Sequence, residues 1–98
     1  MRFIEVKLIK DISNDIPPKG YLSWLDYWEK KKGIKAKECE FLLCVGEPVI
    51  GAKIVKVNRS NREYILPICS HCNLQSEDKI FEAWECDLVP VIMMKETD

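Results

Sequence analysis

The sequence has no long uninterrupted apolar stretch. Its N-terminal segment, residues 2–7, carries a charged side chain at every second or third position. Because a signal peptide and a membrane helix both need a continuous apolar run, we expect neither in this chain. We therefore expect a cytoplasmic protein, in a reducing compartment where paired cysteines favour metal binding over disulfide formation.

An excess of basic residues is also lacking. The chain has 15 lysines and arginines against 16 acidic residues, for a formal net charge of −1. Proteins that hold DNA mainly through its phosphates are basic overall, so the composition argues against that class. One local basic cluster is present, formed by Lys30, Lys31, Lys32, Lys35 and Lys37. It keeps direct nucleic-acid binding open as a hypothesis; the alternative is a solvated helix end whose lysines complement the helix dipole.

Chain length and composition predict one domain. With 98 residues, of which 47% are hydrophobic, the chain can bury a core, but it lies in the size range where a bound metal adds useful stability. We interpret residues 1–98 as a single domain without internal repeats. It comprises an N-terminal strand and helix over residues 1–35, a core over residues 36–92 and a tail over residues 93–98.

The N-terminal part contains patterns for one strand and one helix. Residues 2–10 alternate between polar and apolar side chains, which predicts a strand with Ile4, Val6 and Leu8 on one face. A helix is predicted over residues 21–33, because Ser23 can cap its start and Gly33 can end it.

The predicted helix has an aromatic stripe. Tyr21, Trp24, Leu25 and Trp28 repeat at helical spacing. Such a stripe is far more often part of a core than a ligand platform, so we expect this face to pack on the rest of the domain.

Four of the five cysteines form two short pairs, Cys39-x4-Cys44 and Cys69-x2-Cys72. Two thiolates a few residues apart can bind one metal from a tight turn, so two such turns predict one tetrahedral zinc ion. Four thiolates leave no coordination position for water, so the predicted zinc is structural. The remaining Cys86 is predicted to be an unliganded thiol.

The residues between and after the cysteine pairs predict further strands. Two strand-like runs, 49–57 and 63–68, flank a predicted turn at residues 58–61. A short helix is predicted within residues 73–83, and an edge strand over residues 87–92, because Pro90 cannot donate a ladder hydrogen bond. The single histidine, His71, lies between two cysteines and is interpreted as a solvent-facing spacer.

The core sequence resembles a known family. The segments Gly51-Ala52-Lys53-Ile54 and Tyr64-Ile-Leu-Pro-Ile-Cys-Ser-His-Cys-Asn73 are similar to those of small bacterial HNH-like proteins with a treble-clef zinc finger. The resemblance covers about residues 39–92. It implies an α+β fold: a small zinc-stapled treble-clef core of the HNH-like ββα type, with an N-terminal strand and an aromatic helix added.

The resemblance also implies which residue would do catalysis. In HNH nucleases a histidine of the first strand is the general base that activates water, and Lys53 stands in that position here. A lysine ammonium keeps its proton at neutral pH and repels a divalent cation, so it is a poor base. The alternative is a strand residue whose charged end extends to solvent. Asn73 matches the family residue after the last ligand, or it caps a following helix.

The sequence therefore predicts a non-catalytic, zinc-stabilised binding module that resembles an inactivated HNH nuclease core. It would act through protein or nucleic-acid contacts, as an inhibitor or adaptor such as a phage anti-defence factor. The alternative hypothesis is a metal-dependent HNH-type endonuclease with an unusual base. The candidate partner surface consists of Lys53, Lys56, Arg59, Arg62 and Asn73.

Overall fold

In the part of the chain that the structure describes, five antiparallel strands and two helices form an α+β fold. The computed structural model describes residues 2–10 and 16–91, without the side chains of residues 59–61. The elements are β1 (Phe3–Leu8), α1 (Trp24–Lys32), β2 (Ile50–Lys56), β3 (Arg59–Ile68), α2 (Ser70–Asn73), β4 (Phe81–Trp84) and β5 (Val89–Pro90). Within the described residues, neither helix has the length and apolar character needed to cross a bilayer.

The sheet has the strand order β4-β1-β2-β3-β5 and is strongly curled. Its two edge strands, β4 and β5, are joined only by a 3₁₀ turn at Glu85–Asp87 and one further residue. The edges of a flat five-stranded sheet lie about 19 Å apart. The five steps from Trp84 to Val89 reach at most about 18 Å when fully extended, and a 3₁₀ turn is much shorter than that. The sheet must therefore bend until its edges approach each other.

Strand β1 confirms the predicted alternation. Val6 and Leu8 are buried and Ile4 packs against them, whereas Phe3 and Glu5 are exposed. The buried face belongs to the main core inside the curled sheet. That core also contains Ala52, Ile54, Leu66, Ile68, Ala83 and Leu88 from the other strands and the β4–β5 connection, with three of the cysteines.

Helix α1 begins and ends where the sequence predicts. The Ser23 hydroxyl accepts a hydrogen bond from the Asp26 amide at 3.0 Å, and the Asp26 carboxylate accepts one from the Leu22 amide at 3.0 Å. At the other end Gly33 adopts φ 75°, a left-handed conformation that favours glycine. The Gly33 amide donates to the Glu29 carbonyl at 2.8 Å.

The aromatic face of α1 packs on the outer face of β2, β3 and β5, as predicted. Its composition differs from the predicted stripe at one position, where Tyr27 takes the place of Leu25. Trp24, Tyr27 and Trp28 are buried, whereas Leu25 is only half-buried. The Tyr27 hydroxyl donates to the Pro90 carbonyl at 2.8 Å, and the Trp28 indole donates to the Asp87 carbonyl at 2.7 Å. Because the Tyr27 hydroxyl has a hydrogen-bond partner in β5, its ring can be buried in this position.

Three predictions for the second half need correction. The hairpin turn lies at residues 57–58, so β3 begins at Arg59 and not after residue 61. The predicted helix within residues 73–83 is wrong, since α2 ends at Asn73 and residues 81–84 form β4 on the edge of β1. Asn73 therefore caps no following helix.

The edge position of β5 is confirmed, because among the described residues it pairs only with β3. The predicted edge strand was longer than Val89–Pro90, and its last residue, 92, lies outside the described residues together with the predicted tail 93–98. The α+β class is thus established, whereas the treble clef stays a prediction because α2 has only one turn.

Candidate metal centre

The two cysteine pairs come together at one end of the curled sheet. The first knuckle, residues 39–44, precedes β2, and the second knuckle, residues 69–72, follows β3 directly. The four sulfur atoms of Cys39, Cys44, Cys69 and Cys72 all lie within 4.8 Å of one another. The predicted ligand set is therefore assembled, and these residues can bind a metal ion.

The spacing of the sulfurs fits a tetrahedral ion. The Sγ–Sγ distances are 3.8 Å for Cys39–Cys72, 3.8 Å for Cys44–Cys69 and 3.7 Å for Cys44–Cys72. Four thiolates around a zinc ion with Zn–S bonds of about 2.3 Å lie about 3.8 Å apart along the edges of the tetrahedron. The cluster therefore matches the coordination geometry without rearrangement of these three pairs.

Backbone contacts hold the first knuckle in shape. The Cys39 amide donates to the Gly46 carbonyl at 2.8 Å, and the Cys44 amide donates to the Phe41 carbonyl at 3.1 Å. A Cβ atom on Gly46 would lie 2.8 Å from the Cys69 Cβ and 2.9 Å from its Sγ. Only glycine fits there. The sequence analysis did not single out Gly46, although a glycine two residues after a ligand cysteine was an available signal.

The first knuckle is hydrogen-bonded to two strands of the sheet, β3 and β4. The Glu40 amide donates to the Pro67 carbonyl of β3 at 2.9 Å. Two residues later, the Leu42 amide donates to the Glu82 carbonyl of β4 at 2.8 Å. The knuckle therefore lies between the hydrogen-bonding edges of β3 and β4. The two strands fix the position of Cys39 and Cys44.

The second knuckle is a single helical turn at the end of β3. The Cys69 sulfur accepts a hydrogen bond from the Cys72 amide at 3.5 Å, and the Asn73 amide donates to the Cys69 carbonyl at 3.1 Å. Residues 70–73 form α2, which turns Cys72 back beside Cys69. His71 points to solvent, as predicted, and Cys86 is an exposed free thiol outside the cluster.

The thiols of the cluster differ in their proton affinity. The amide of Cys72 stabilises the Cys69 thiolate and lowers the pKa of that thiol to about 7. Burial raises the pKa of Cys39 to about 11 and also raises the pKa of Cys72. A bound cation would replace the protons of the buried thiols, since metal binding and deprotonation are coupled.

Lys53 is buried, with 8% of its surface exposed, so the expectation that its charged end extends to solvent is wrong. Its neighbours along β2, Ala52 and Ile54, face the core that holds the cysteines. Because side chains alternate along a strand, Lys53 faces the opposite side, beneath α1. Its Nζ lies 5.1 Å from the centre of the Trp24 ring, within the range of a cation–π contact.

The other residues of the predicted partner surface are dispersed. Lys56 donates to the Glu85 carboxylate at 3.0 Å, and Arg62 is exposed. Asn73 follows Cys72 on the cysteine side of the sheet, and its carbonyl accepts a hydrogen bond from the Lys10 ammonium at 2.8 Å. The side chain of Arg59 lies outside what the structure describes. Since Lys53 and Asn73 lie on opposite sides of the sheet, the five residues do not share one surface.

Ion pairs neutralise much of the basic cluster at the end of α1. Three of its lysines each contact an acidic side chain, and a fourth, Lys31, lies 5.6 Å from the centre of the Tyr27 ring. The ion pairs are Lys30–Asp26 at 2.7 Å, Lys32–Asp87 at 3.8 Å and Lys35–Glu29 at 3.7 Å. This arrangement fits a solvated helix end better than a phosphate-binding patch.

Comparison with known proteins adds no relative to this description. No protein-family model matches the chain, and neither a curated protein nor a solved structure matches it.

Proposed function

We propose that this protein is a non-catalytic binding module whose two knuckles are joined by one structural zinc ion. The observation that carries the proposal is the sulfur cluster, in which four cysteines within 4.8 Å of one another provide a complete tetrahedral ligand set. Tetrahedral all-thiolate sites select zinc or an iron–sulfur cluster. The sulfur edges of 3.7–3.8 Å fit a single zinc ion.

A complete thiolate shell supports a structural role. Catalytic zinc sites use three protein ligands and keep the fourth position for water or substrate. In this centre Cys39, Cys44, Cys69 and Cys72 supply all four positions. The ion would therefore stabilise the fold and not activate water.

The position of Lys53 supports the absence of nuclease activity. A general base must reach the proton that it removes, directly or through one water molecule. Lys53 stands where the resembled nucleases carry their histidine, but it is buried beneath α1 against Trp24. Asn73 lies on the other side of the sheet, with Cys72. These two residues cannot act in one cleft.

Function would then reside in the surface. An inhibitor or adaptor, such as a phage anti-defence factor, works through contacts of this kind. The net charge of −1 and the ion pairs of Lys30, Lys32 and Lys35 favour a protein partner over nucleic acid. A thiolate-bound zinc also suits a reducing compartment such as the cytoplasm.

Metal analysis and a cleavage assay test the proposal together. The purified protein should contain one zinc ion per chain, lose its structure when a chelator removes the ion, and leave plasmid DNA intact with Mg²⁺, Mn²⁺ or Ni²⁺. Lys53→His should remain inactive as well, since the side chain faces α1. A folded protein without stoichiometric metal would contradict the structural zinc. Metal-dependent cleavage that disappears in Lys53→Ala would contradict the non-catalytic role.

A further inference from the structure

An open cleft of about 240 Å³ lies between the first knuckle and β4. Residues 38–45 form one wall, and Ala83 and Trp84 form the other. Two features restrain the wall of the cleft that the knuckle forms. They are the cysteine cluster and the hydrogen bond from the Leu42 amide to the Glu82 carbonyl.

The rim of this cleft exposes apolar side chains at an energetic cost. Leu43 is 95% exposed and Val45 is 83% exposed. Leu43 also adopts φ 67°, a left-handed conformation that favours glycine, at the third position of the turn closed by the hydrogen bond from the Cys44 amide to the Phe41 carbonyl. The exposure of Leu43 and Val45 is not compensated by packing within the described residues. A contact with another molecule would bury these two side chains.

The opposite wall adds an aromatic surface. Trp84 stacks on Phe3 with ring centres 3.6 Å apart, and Phe3 is itself 42% exposed. Both residues lie on the outer face of the sheet, where it is formed by β1 and β4. Helix α1 packs against a different part of this face, formed by β2, β3 and β5. A partner that enters the cleft would meet this aromatic pair next to Leu43.

The charges at the cleft are acidic. Glu38 and Glu40 line it, and among the described residues no lysine or arginine does. Glu40 contributes less charge than Glu38, because burial and the neighbouring Asp87 raise the pKa of Glu40 to about 7. Glu82 of β4 is the direct cross-strand neighbour of Glu5 on β1, an unfavourable pairing of like charges. Among the described residues, Glu5, Glu38 and Glu82 make no ion pair. A cation from outside the chain would be attracted to Glu38 in the cleft and to the Glu5–Glu82 pair on β1 and β4.

We propose that this cleft binds a segment of a protein partner in which arginine or lysine alternates with aliphatic or aromatic residues. The apolar side chains would pack on Leu43 and Val45. The cationic side chain would lie between the carboxylates and the Trp84 ring, where cation–π attraction adds to the ion pair. The carboxylates repel phosphate, so nucleic acid does not fit this surface. This inference rests on the proposed function, because it assigns the partner class of the same binding module.

Selection of peptides on the intact protein tests this inference. The zinc-loaded full chain is immobilised and incubated with a displayed library of short random peptides. Recovered peptides are then measured in solution against four variants whose zinc content and melting temperature are checked first. Leu43→Gly and Glu38→Lys alter the cleft. Leu74→Gly and Asp78→Lys, at exposed positions outside it, are the matched apolar and charge-reversal controls.

We expect the selection to enrich sequences in which arginine or lysine lies next to large apolar residues. Each cleft variant should weaken their binding by about tenfold or more, the effect of losing a central contact, and the controls should bind like the parent. Leu43→Gly should melt no lower than the parent, because the left-handed conformation at this position favours glycine. That result separates a binding role from a structural one.

Several results would overturn the inference. They are the absence of enriched peptides, enrichment of acidic peptides, equal losses in the control variants, and displacement of the peptides by duplex DNA. Its failure is distinguishable from failure of the proposed function. A zinc-bound, inactive protein that binds no cationic peptide contradicts only the cleft assignment, whereas a metal-free or DNA-cleaving protein contradicts the proposed function.

Discussion

Gly46 and Cys69 pack against each other across the metal centre. A side-chain carbon on Gly46 would lie 2.8 Å from the Cys69 Cβ, closer than real Cβ contacts occur. One backbone position in the first knuckle thus limits how closely the second knuckle can approach. This contact therefore sets the spacing between the two halves of the ligand set.

Replacement of Gly46 should therefore weaken metal binding. In Gly46→Ala the added methyl group pushes Cys69 away from Cys44, and we expect zinc affinity to fall by about tenfold or more, as for other residues that position ligands. Competition with a chromophoric chelator measures the change. Gly33→Ala is the control, since Gly33 has φ 75° but no atom near the added carbon. It should lower stability by about 1 kcal/mol and leave zinc affinity unchanged. Equal zinc affinities in the parent, Gly46→Ala and Gly33→Ala would show that Gly46 does not position Cys69.

Loss of one ligand should destabilise the whole domain. Cys39→Ser removes a thiolate from a site whose binding free energy is also folding free energy, so we expect loss of stoichiometric zinc and a much lower melting temperature. Cys86→Ser is the matched control, because Cys86 is exposed and lies outside the cluster. It should keep both zinc and melting temperature. If Cys39→Ser melts like the parent, the centre is not a structural element.

The hydrogen bond from Tyr27 to Pro90 should contribute measurably to stability. Tyr27→Phe keeps the ring but leaves the Pro90 carbonyl without its donor, which should lower the free energy of unfolding by about 1–2 kcal/mol in a urea titration. Tyr21→Phe removes a hydroxyl that has no hydrogen bond to described residues, although its ring contacts Tyr27 edge-on. That change should stay within about 0.5 kcal/mol of the parent. Similar losses in both variants would show that the hydroxyl bond is not the cause.

Asp26 should make stability depend on pH in the acid range. The Lys30 ammonium and the Leu22 amide stabilise the carboxylate and lower the pKa of Asp26 below its ordinary value of 3.8. Since folding favours the ionised form, its stabilisation is complete above the ordinary pKa and is lost as pH falls through the lower, folded value. Urea titrations from neutral pH to about pH 3 should show a steeper loss for the parent than for Asp26→Asn. The difference between the two curves removes the contribution of metal release. Parallel curves would contradict the assignment.

Local patterns were sufficient for part of the fold and for the ligand set. The two cysteine pairs, the Ser23 cap and the Gly33 end are each read within a few residues, and none depends on distant contacts. Strand β4 is different. Phe81 and Ala83 give only two alternating apolar positions, too few to separate a strand from a helical turn. The segment is a strand because β1 offers it an unpaired edge, which is a long-range condition.

The burial of Lys53 could not be predicted from alternation for a related reason. Residues 51–55 are all buried, because α1 covers one side of β2 and the cysteine core covers the other. The alternation of side chains identifies the two faces of a strand. It does not show that other elements cover both faces. A lysine in such a run suggests an exposed face, whereas here its charge lies against the ring of Trp24.

The hydrogen bonds from the first knuckle to Pro67 and Glu82 have a consequence for the cell. They cover peptide groups on β3 and β4 that would otherwise be available to strands of other molecules. If the proposed zinc ion is removed and the knuckle opens, these edges of β3 and β4 become available for pairing with strands of other molecules. We therefore expect zinc starvation to cause self-association and precipitation of this protein, so that the supply of metal sets how much of it stays in solution.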